Sequence, residues 1–270
     1  MLLLNQPQAR AVRIVQITDS HLFSDKESKL LGMNTEESFR CVYQLAQKEQ
    51  TNPDLILVTG DVSQDGSKEA YVRMQDAMQF WGAPVYWLPG NHDHFSMMRQ
   101  VIGVDWVSPC CVDIGAWRLV LLNSQIERDV PGRLARAELE FLDQSLKNAG
   151  DRHVLIALHH HPVPLNSQWL DTVALLNPED FFSVVHRYDR VRAVVWGHVH
   201  QSFELKLNNI SLFSTPSTCV QFKPNSDDFA LDTLAPGYRW FDLCEDGSVK
   251  SGISRVADFH LTVDHAATGY

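Results

Sequence analysis

Positive charge is the minority sign in this chain and is scattered. Lysine and arginine number 23 against 33 aspartates and glutamates, a formal net charge of -10 at pH 7. Binding along a nucleic-acid backbone by counterion release needs clustered cations, so nucleic acid is excluded as the main partner. Long apolar runs are missing too. The start Met1-Leu2-Leu3-Leu4 turns polar at Asn5, short of the apolar core of a secretory leader, and no later stretch is long enough to span a membrane. Cysteine is sparse: Cys41, Cys110, Cys111, Cys219 and Cys244 form an odd set with one adjacent pair and no CxxC spacing. That pattern argues against a zinc ribbon and for reduced thiols, and with the other absences it places the protein in the cytoplasm, off the membrane. No proline- or serine-rich linker and no internal repeat divides the chain. With 44% hydrophobic residues, residues 1–270 read as one domain.

What is present is a set of five short apolar runs, each ending in residues that bind metals. Arg13 to Thr18, Leu55 to Val58, Val85 to Leu88, Val154 to Leu158 and Ala193 to Trp196 read as buried strands. Their endings are Asp19-Ser20-His21, Gly60-Asp61, Gly90-Asn91-His92-Asp93, His159-His160-His161-Pro162 and Gly197-His198-Val199-His200. The carboxyl ends of strands in an α/β sheet are where ligands bind. Helical patterns alternate with these strands: Thr35 to about Gln50, opened by Asn34 with Glu37 three residues on; Ser67 to about Trp81; and Ala135 to Ala149. Beyond residue 200, Phe203 to Leu207, Ile210 to Phe213 and Gly237 to Leu243 read as antiparallel strands. The expectation is a second sheet facing the first, built partly from residues 201–250, which also wall the pocket, with helices outside both sheets.

Each ending has an ordinary reading beside the functional one. Asp19 and His21, two apart on extended chain, point the same way, but Asp near His also makes a turn. Asp61 after Gly60 reads as a bridging carboxylate or as a helix cap. Pro89-Gly90-Asn91 fits a plain turn, which leaves His92-Asp93-His94 unexplained. Three adjacent imidazoles after a buried strand are costly unless something binds them; one or two can face a site, and hydrogen bonds that support the ligands from behind, or solvent, take the rest, expected for His159 and His161. With His94 counted in the third block, eight of the twelve histidines fall inside these blocks, which chance clustering explains poorly. Carboxylate, amide oxygen and imidazole without thiolate suit two divalent ions of intermediate hardness, iron, manganese or zinc rather than calcium or copper. Such ions would also attract anions to a site on an acidic protein.

The series D-x-H, G-D, G-N-H-D, H-x-P and G-H-x-H, in that order and each after a strand, resembles the calcineurin-like metallophosphoesterase superfamily. Two further stretches, Leu31 to Thr35 and Thr215 to Pro224, resemble bacterial class III 3′,5′-cyclic AMP phosphodiesterases, so the likeness runs nearly end to end. It implies an α/β fold, a four-layer αββα sandwich of two mixed sheets flanked by helices. It implies one metal on Asp19, His21, Asp61 and His200, and a second on Asp61, Asn91, His160 and His198, with Asp61 bridging; His160 is selected as the histidine two residues before Pro162. Iron is the expected metal, with manganese as a working substitute. The implied reaction converts 3′,5′-cyclic AMP to 5′-AMP by attack of a metal-bridging hydroxide, with His92 stabilising charge or protonating the leaving 3′ oxygen. His21, Asp61, Asn91, His92 and His200 would meet the substrate.

Two rivals remain. An enzyme of the same superfamily could act on 2′,3′-cyclic nucleotides, glycerophosphodiesters or nucleotide-sugar lipids, since the metal core does not distinguish them. A non-catalytic scaffold is disfavoured because no ligand position is lost, and a nuclease because a strand-tracking basic groove is missing. Assembly into a homo-oligomer is left open by the sequence.

Overall fold

A computed structural model describes residues 10–257, 259, 263–264, 267 and 269; the Met1 to Asn5 start, His260 and His265 lie outside them. The elements in chain order are β1 (Val12–Ile17), β2 (Lys29–Leu30), β3 (Met33–Asn34), α1 (Thr35–Glu49), β4 (Leu55–Thr59), α2 (Lys68–Gln79), β5 (Val85–Leu88), α3 (Phe95–Ile102), β6 (Cys110–Ile114), β7 (Trp117–Leu121), α4 (Arg136–Lys147), β8 (His153–Ala157), α5 (Gln168–Asp171), α6 (Pro178–Val185), β9 (Val191–Trp196), β10 (Phe203–Leu207), β11 (Ile210–Ser214), β12 (Gly237–Leu243) and β13 (Val249–Arg255). Five strands form one mixed sheet in the order β13-β12-β1-β4-β5. Six form a second, β10-β11-β9-β8-β7-β6, and β2 with β3 makes a separate hairpin.

Strand alternation builds the layers. In β4, Leu55 and Leu57 join the core between the sheets, where they meet Trp117, Leu119, Leu155, Ala157, Ala193 and Val195. Ile56 and Val58 face the other way, onto Phe39, Val42 and Ala46 of α1, Tyr71, Met74 and Met78 of α2, and Met98 of α3. On the far side, Ile156 of β8 and Val194 and Trp196 of β9 pack under Leu142 and Leu146 of α4 and Phe181 and Val185 of α6. Helices therefore cover both outer faces, as the αββα expectation requires. Asn34 caps α1, its side-chain oxygen accepting the Glu37 N–H at 2.8 Å, and Gln16 ties the sheets together by donating to Thr59 Oγ1 (2.8 Å) and the Trp196 carbonyl (3.2 Å).

The strands do not divide as the sequence suggested. Three of the five motif strands, β1, β4 and β5, lie in one sheet, and β8 and β9 lie in the other. Residues 201–250 split as well: β10 and β11 extend the second sheet, but β12 pairs antiparallel with β1 in the first. The seam between the two sheets, at their shared carboxyl edge, is where the five loops meet.

Candidate metal centre

The loops turn sharply as they leave their strands. Asp19, His21, Asp61, His198 and His200 all have left-handed backbones, with φ of 54°, 47°, 48°, 67° and 47°. Residues other than glycine reach this region at a cost of order 1 kcal/mol each, and such strain gathers at functional sites. The extended geometry expected for Asp19 with His21 is therefore absent; two successive tight turns, not a straight strand, converge these side chains. Bonds between loops hold the turns. The Asp19 N–H donates to the Gly60 carbonyl (3.0 Å) and the His21 N–H to the Asp61 carbonyl (2.9 Å). The His198 N–H donates to the Asp19 carboxylate at 2.9 Å, and the His92 N–H to Asp61 Oδ1 at 2.8 Å. Gly60, at φ 95°, and Gly90 have no room for a side chain. A Cβ on Gly60 would lie 2.4 Å from His159 Nδ1, and one on Gly90 2.1 Å from Asp61 Oδ1. Buried Asp93 anchors the same loop, its carboxylate accepting from the Gly90 and Ser63 N–H groups and from the Tyr71 hydroxyl.

Asp61 sits at the centre, fully buried. Its Oδ2 lies 3.8 Å from His21 Nε2 and 3.2 Å from His159 Nε2, and it has no hydrogen-bond partner. On one side, His21 Nε2 and His200 Nε2 approach to 3.1 Å and His200 Nε2 lies 3.5 Å from Asp19 Oδ1. On the other, His159 Nε2 lies 3.3 Å from Asn91 Oδ1, and His198 Nδ1 is a second buried atom with no partner. Asp19 with His21 and His200, and Asp19 with Asp61 and His159, form sets whose donor atoms fall within 4.8 Å of one another. Two orphaned buried donors amid carboxylate, amide and imidazole fit a divalent cation on each side of Asp61.

The second ring nitrogens fix the tautomers. His159 Nδ1 donates to the Thr59 carbonyl at 2.8 Å, His200 Nδ1 to the Val220 carbonyl at 2.8 Å, His198 Nε2 to the Val173 carbonyl at 3.0 Å and His21 Nδ1 to Gln64 Oε1. Oxygen acceptors require a proton on that nitrogen, so in the neutral ring the other carries the lone pair a metal would use. Burial pushes His21 down to about 3 and His198 well below its ordinary range, with neighbouring imidazoles adding to the fall. His159 goes the other way, up to about 9, because Asp61 and its companions outweigh a burial that opposes charge. Asp61 is held well below the usual carboxylate range: burial resists ionisation, but His159 and His92 prevail.

The resemblance implies His160 as a ligand, and one His160 nitrogen does lie within 4.8 Å of donor atoms of His159 and His198. Leu155 and Ala157 face the seam, and Ile156 and Leu158 face the outer layer; just past the strand, His159 continues on the seam side, beside Asp61. Both ring nitrogens of His160 are engaged, with Ser124 Oγ at 2.8 Å and the Val130 carbonyl at 3.1 Å. The donor beside Asp61 and Asn91 is His159, which the sequence assigned to an outer shell. His161 does lie outside the donor set: buried, it packs its ring against that of His198, 5.8 Å between centroids, with Nε2 3.8 Å from Asp171 Oδ1.

Beside the centre opens a cavity of about 580 Å³ lined by residues of 64–66, 91–96 and 123–128, among them Gln64, Asn91, His92, Gln125 and Arg128. Residues 201–250 contribute none of the lining of this cavity. They serve as a buttress instead. Ser217 Oγ donates to the Asp19 carbonyl at 2.7 Å. The buried Phe222 ring stacks on His200, 4.2 Å between centroids and 8° from parallel. A larger hollow of about 740 Å³, lined by Arg10, Cys244 and Asp246, lies at the opposite end of β1 and holds none of the donor cluster. The residues that sequence reasoning missed are mostly backbone acceptors, Thr59, Val173 and Val220, which leave no mark on side-chain chemistry; Ser217 stood within the Thr215 to Pro224 stretch without a recognised role, and Gln64, three residues past Asp61, stood outside every motif.

Residues 12–202 match the calcineurin-like phosphoesterase family. The chain is 45% identical over 268 residues to the 3′,5′-cyclic adenosine monophosphate phosphodiesterase CpdA of Pseudomonas aeruginosa, covering 98% of each chain. It is 42% identical over 261 residues to the protein of the same name in Escherichia coli strain K12, covering 96% of this chain and 95% of that one. Among solved structures, a dimetal phosphatase from Danio rerio superposes with a TM-score of 0.63 at 15% identity, over 92% of this chain and all of that one, a likeness of fold.

Proposed function

The chain belongs to the calcineurin-like phosphoesterase family, and we propose that it hydrolyses 3′,5′-cyclic AMP to 5′-AMP, lowering the concentration of this second messenger in the cytoplasm. The observation that carries the reading is Asp61 Oδ2, buried without a hydrogen-bond partner between His21 Nε2 at 3.8 Å on one side and His159 Nε2 at 3.2 Å on the other. Asp19, His21, Asp61 and His200 would hold one ion, and Asp61, Asn91, His159 and His198 the other. The donor set favours iron, with manganese as a substitute. When bound, the pair supplies Lewis-acid charge for the phosphoryl oxygens and a nucleophile from water at neutral pH.

The chain's own residues do the rest. Asp61 is fixed by the His92 N–H on Oδ1, and its other oxygen would be available to the ions. His92 stands half-buried on the cavity wall, its ring centroid 5.0 Å from that of His21. From there its imidazole would hydrogen-bond the phosphoryl group or give a proton to the departing 3′ oxygen. His21, Asp61, Asn91 and His200 border the phosphate position, and the adjoining cavity lies within the range of small-molecule sites and has room for a nucleoside. The near full-length similarity to proteins named as cyclic AMP phosphodiesterases favours this substrate over the other phosphodiesters the metal core would accept. No helix among the described residues is long and apolar enough to cross a membrane.

The test is to reconstitute the purified chain with iron or manganese, offer 3′,5′-cyclic AMP, 2′,3′-cyclic AMP and an aryl phosphodiester separately, and resolve the products by chromatography. Rapid formation of 5′-AMP from the first supports the proposal. Hydrolysis of the aryl ester with little action on cyclic AMP would keep the metal chemistry and overturn the substrate.

A further inference from the structure

Three of the four seam imidazoles donate their spare N–H to a backbone carbonyl, of Thr59, Val220 or Val173. No side-chain substitution removes those acceptors. His21 is different, because its Nδ1 meets the side-chain oxygen of Gln64. The backbone prepares that contact. The Gln64 N–H donates to the Leu22 carbonyl at 2.9 Å, and Ser63 bridges Leu22 in parallel register, so the Gln64 Cα is fixed beside the residue that follows His21. Gln64 also lines the cavity next to Asn91 and His92.

We propose that Gln64 is a positioning residue for the metal ion held by Asp19, His21, Asp61 and His200, setting the tautomer and ring orientation of His21 through one replaceable hydrogen bond. The inference rests on the metal assignment above. An oxygen acceptor puts the His21 proton on Nδ1 and leaves the Nε2 lone pair toward His200 and Asp61. Without it the ring is free to take the opposite tautomer or rotate, and Nε2 ceases to be a prepared ligand. The two ions are thus held unequally: the partners of His159 and His198 are backbone, and that of His21 is a side chain on the substrate-facing wall. Glutamate keeps an oxygen at the same reach, leucine keeps the bulk without the acceptor, and asparagine is one methylene too short.

The experiment titrates the metal-free parent, Q64L and Q64E with Mn²⁺, following the free-ion electron paramagnetic resonance signal and the spin-coupled signal of neighbouring ions. H21A and H198A identify which ion is which, and thermal melts of the metal-free proteins check folding. The parent should bind two ions. Q64L should bind one with parental affinity and the other roughly 10- to 100-fold more weakly, with loss of the coupled signal at limiting metal; Q64E should restore both. Q64N carries the same expectation as Q64L and replaces it if Q64L does not fold. Parental affinity for both ions in Q64L, equal weakening of both, or failure of Q64E to restore binding would overturn the proposal. A parent that binds fewer than two ions would overturn the metal assignment itself, before any variant is made.

Discussion

The middle of each sheet and its carboxyl edge are equally dry and chemically opposite. Between the sheets, Ile14, Leu55, Leu57, Trp117, Leu155 and Ala193 are fully buried, and none of them has a left-handed backbone. A few residues along the same strands, Asp19, Asp61, His159 and His200 are just as buried, yet they are polar, and three of the four are left-handed. Burial of apolar surface stabilises the first region at about 25 cal/mol per Å². In the second, burial is a cost, offset in part by hydrogen bonds between loops and fully only by a ligand that uses the orphaned donors. The core holds the fold, and the edge is held by the fold.

That contrast is open to direct attack. Asp61→Asn keeps the shape and a residue type that tolerates φ 48°, but removes the shared anionic oxygen. Turnover of cyclic AMP should fall at least ~10³-fold, about 4 kcal/mol of barrier, while the metal-free melting temperature stays the same or rises. Steady-state rates and a melt of the apo variant check both halves. Leu155→Ala, in the middle of β8, should do the reverse. It should cost about 3 kcal/mol of stability in urea titration through the cavity it leaves, with activity per folded molecule unchanged. His92→Ala should lower the turnover number roughly 100-fold, about 3 kcal/mol, with metal stoichiometry and melting temperature retained. Unchanged turnover in that variant would remove His92 from the reaction.

The smallest effect concerns a buried carboxylate away from the donors. Glu138, on α4, accepts the Asn123 N–H at 3.0 Å and is pushed up to about 7 by burial. The folded chain therefore binds this proton more tightly than the unfolded chain. Its contribution is complete below about pH 4.5 and is lost as pH rises toward 7. Glu138→Gln should remove that part of the decline, a gain on the order of 1 kcal/mol at pH 8 and little at pH 4, read from urea midpoints at the two pH values.

The parts legible in the sequence were those written in side chains. Five apolar runs with chemical endings gave five strands; Asn34 and Glu37 marked a helix start; the order of endings carried the family. Pairing between distant strands was not legible, because β1 and β8 are both apolar on both faces and nothing local says which sheet each joins. The alternating strand β6 and the short helices α3 and α6 passed unread for a related reason: β6 is a partly exposed edge strand, and each helix spans only eight residues. The choice between His160 and His159 turns on register. Counting back from Pro162 ignores the strand, whereas counting forward from Leu155 and Ala157 reaches His159, a signal that was present but masked by apolar residues at every position from Val154 to Leu158. The left-handed turns and carbonyl anchors belong to the backbone and were invisible.

The measurement that tests the account most directly compares His159→Ala with His160→Ala for bound metal and cyclic AMP turnover. If the seam-facing register of β8 delivers the ligand, the first variant retains one ion and loses turnover by at least ~10³-fold, and the second retains two ions and most of its activity. Loss of an ion from the His160 variant, with two ions and turnover intact in the His159 variant, would contradict the account.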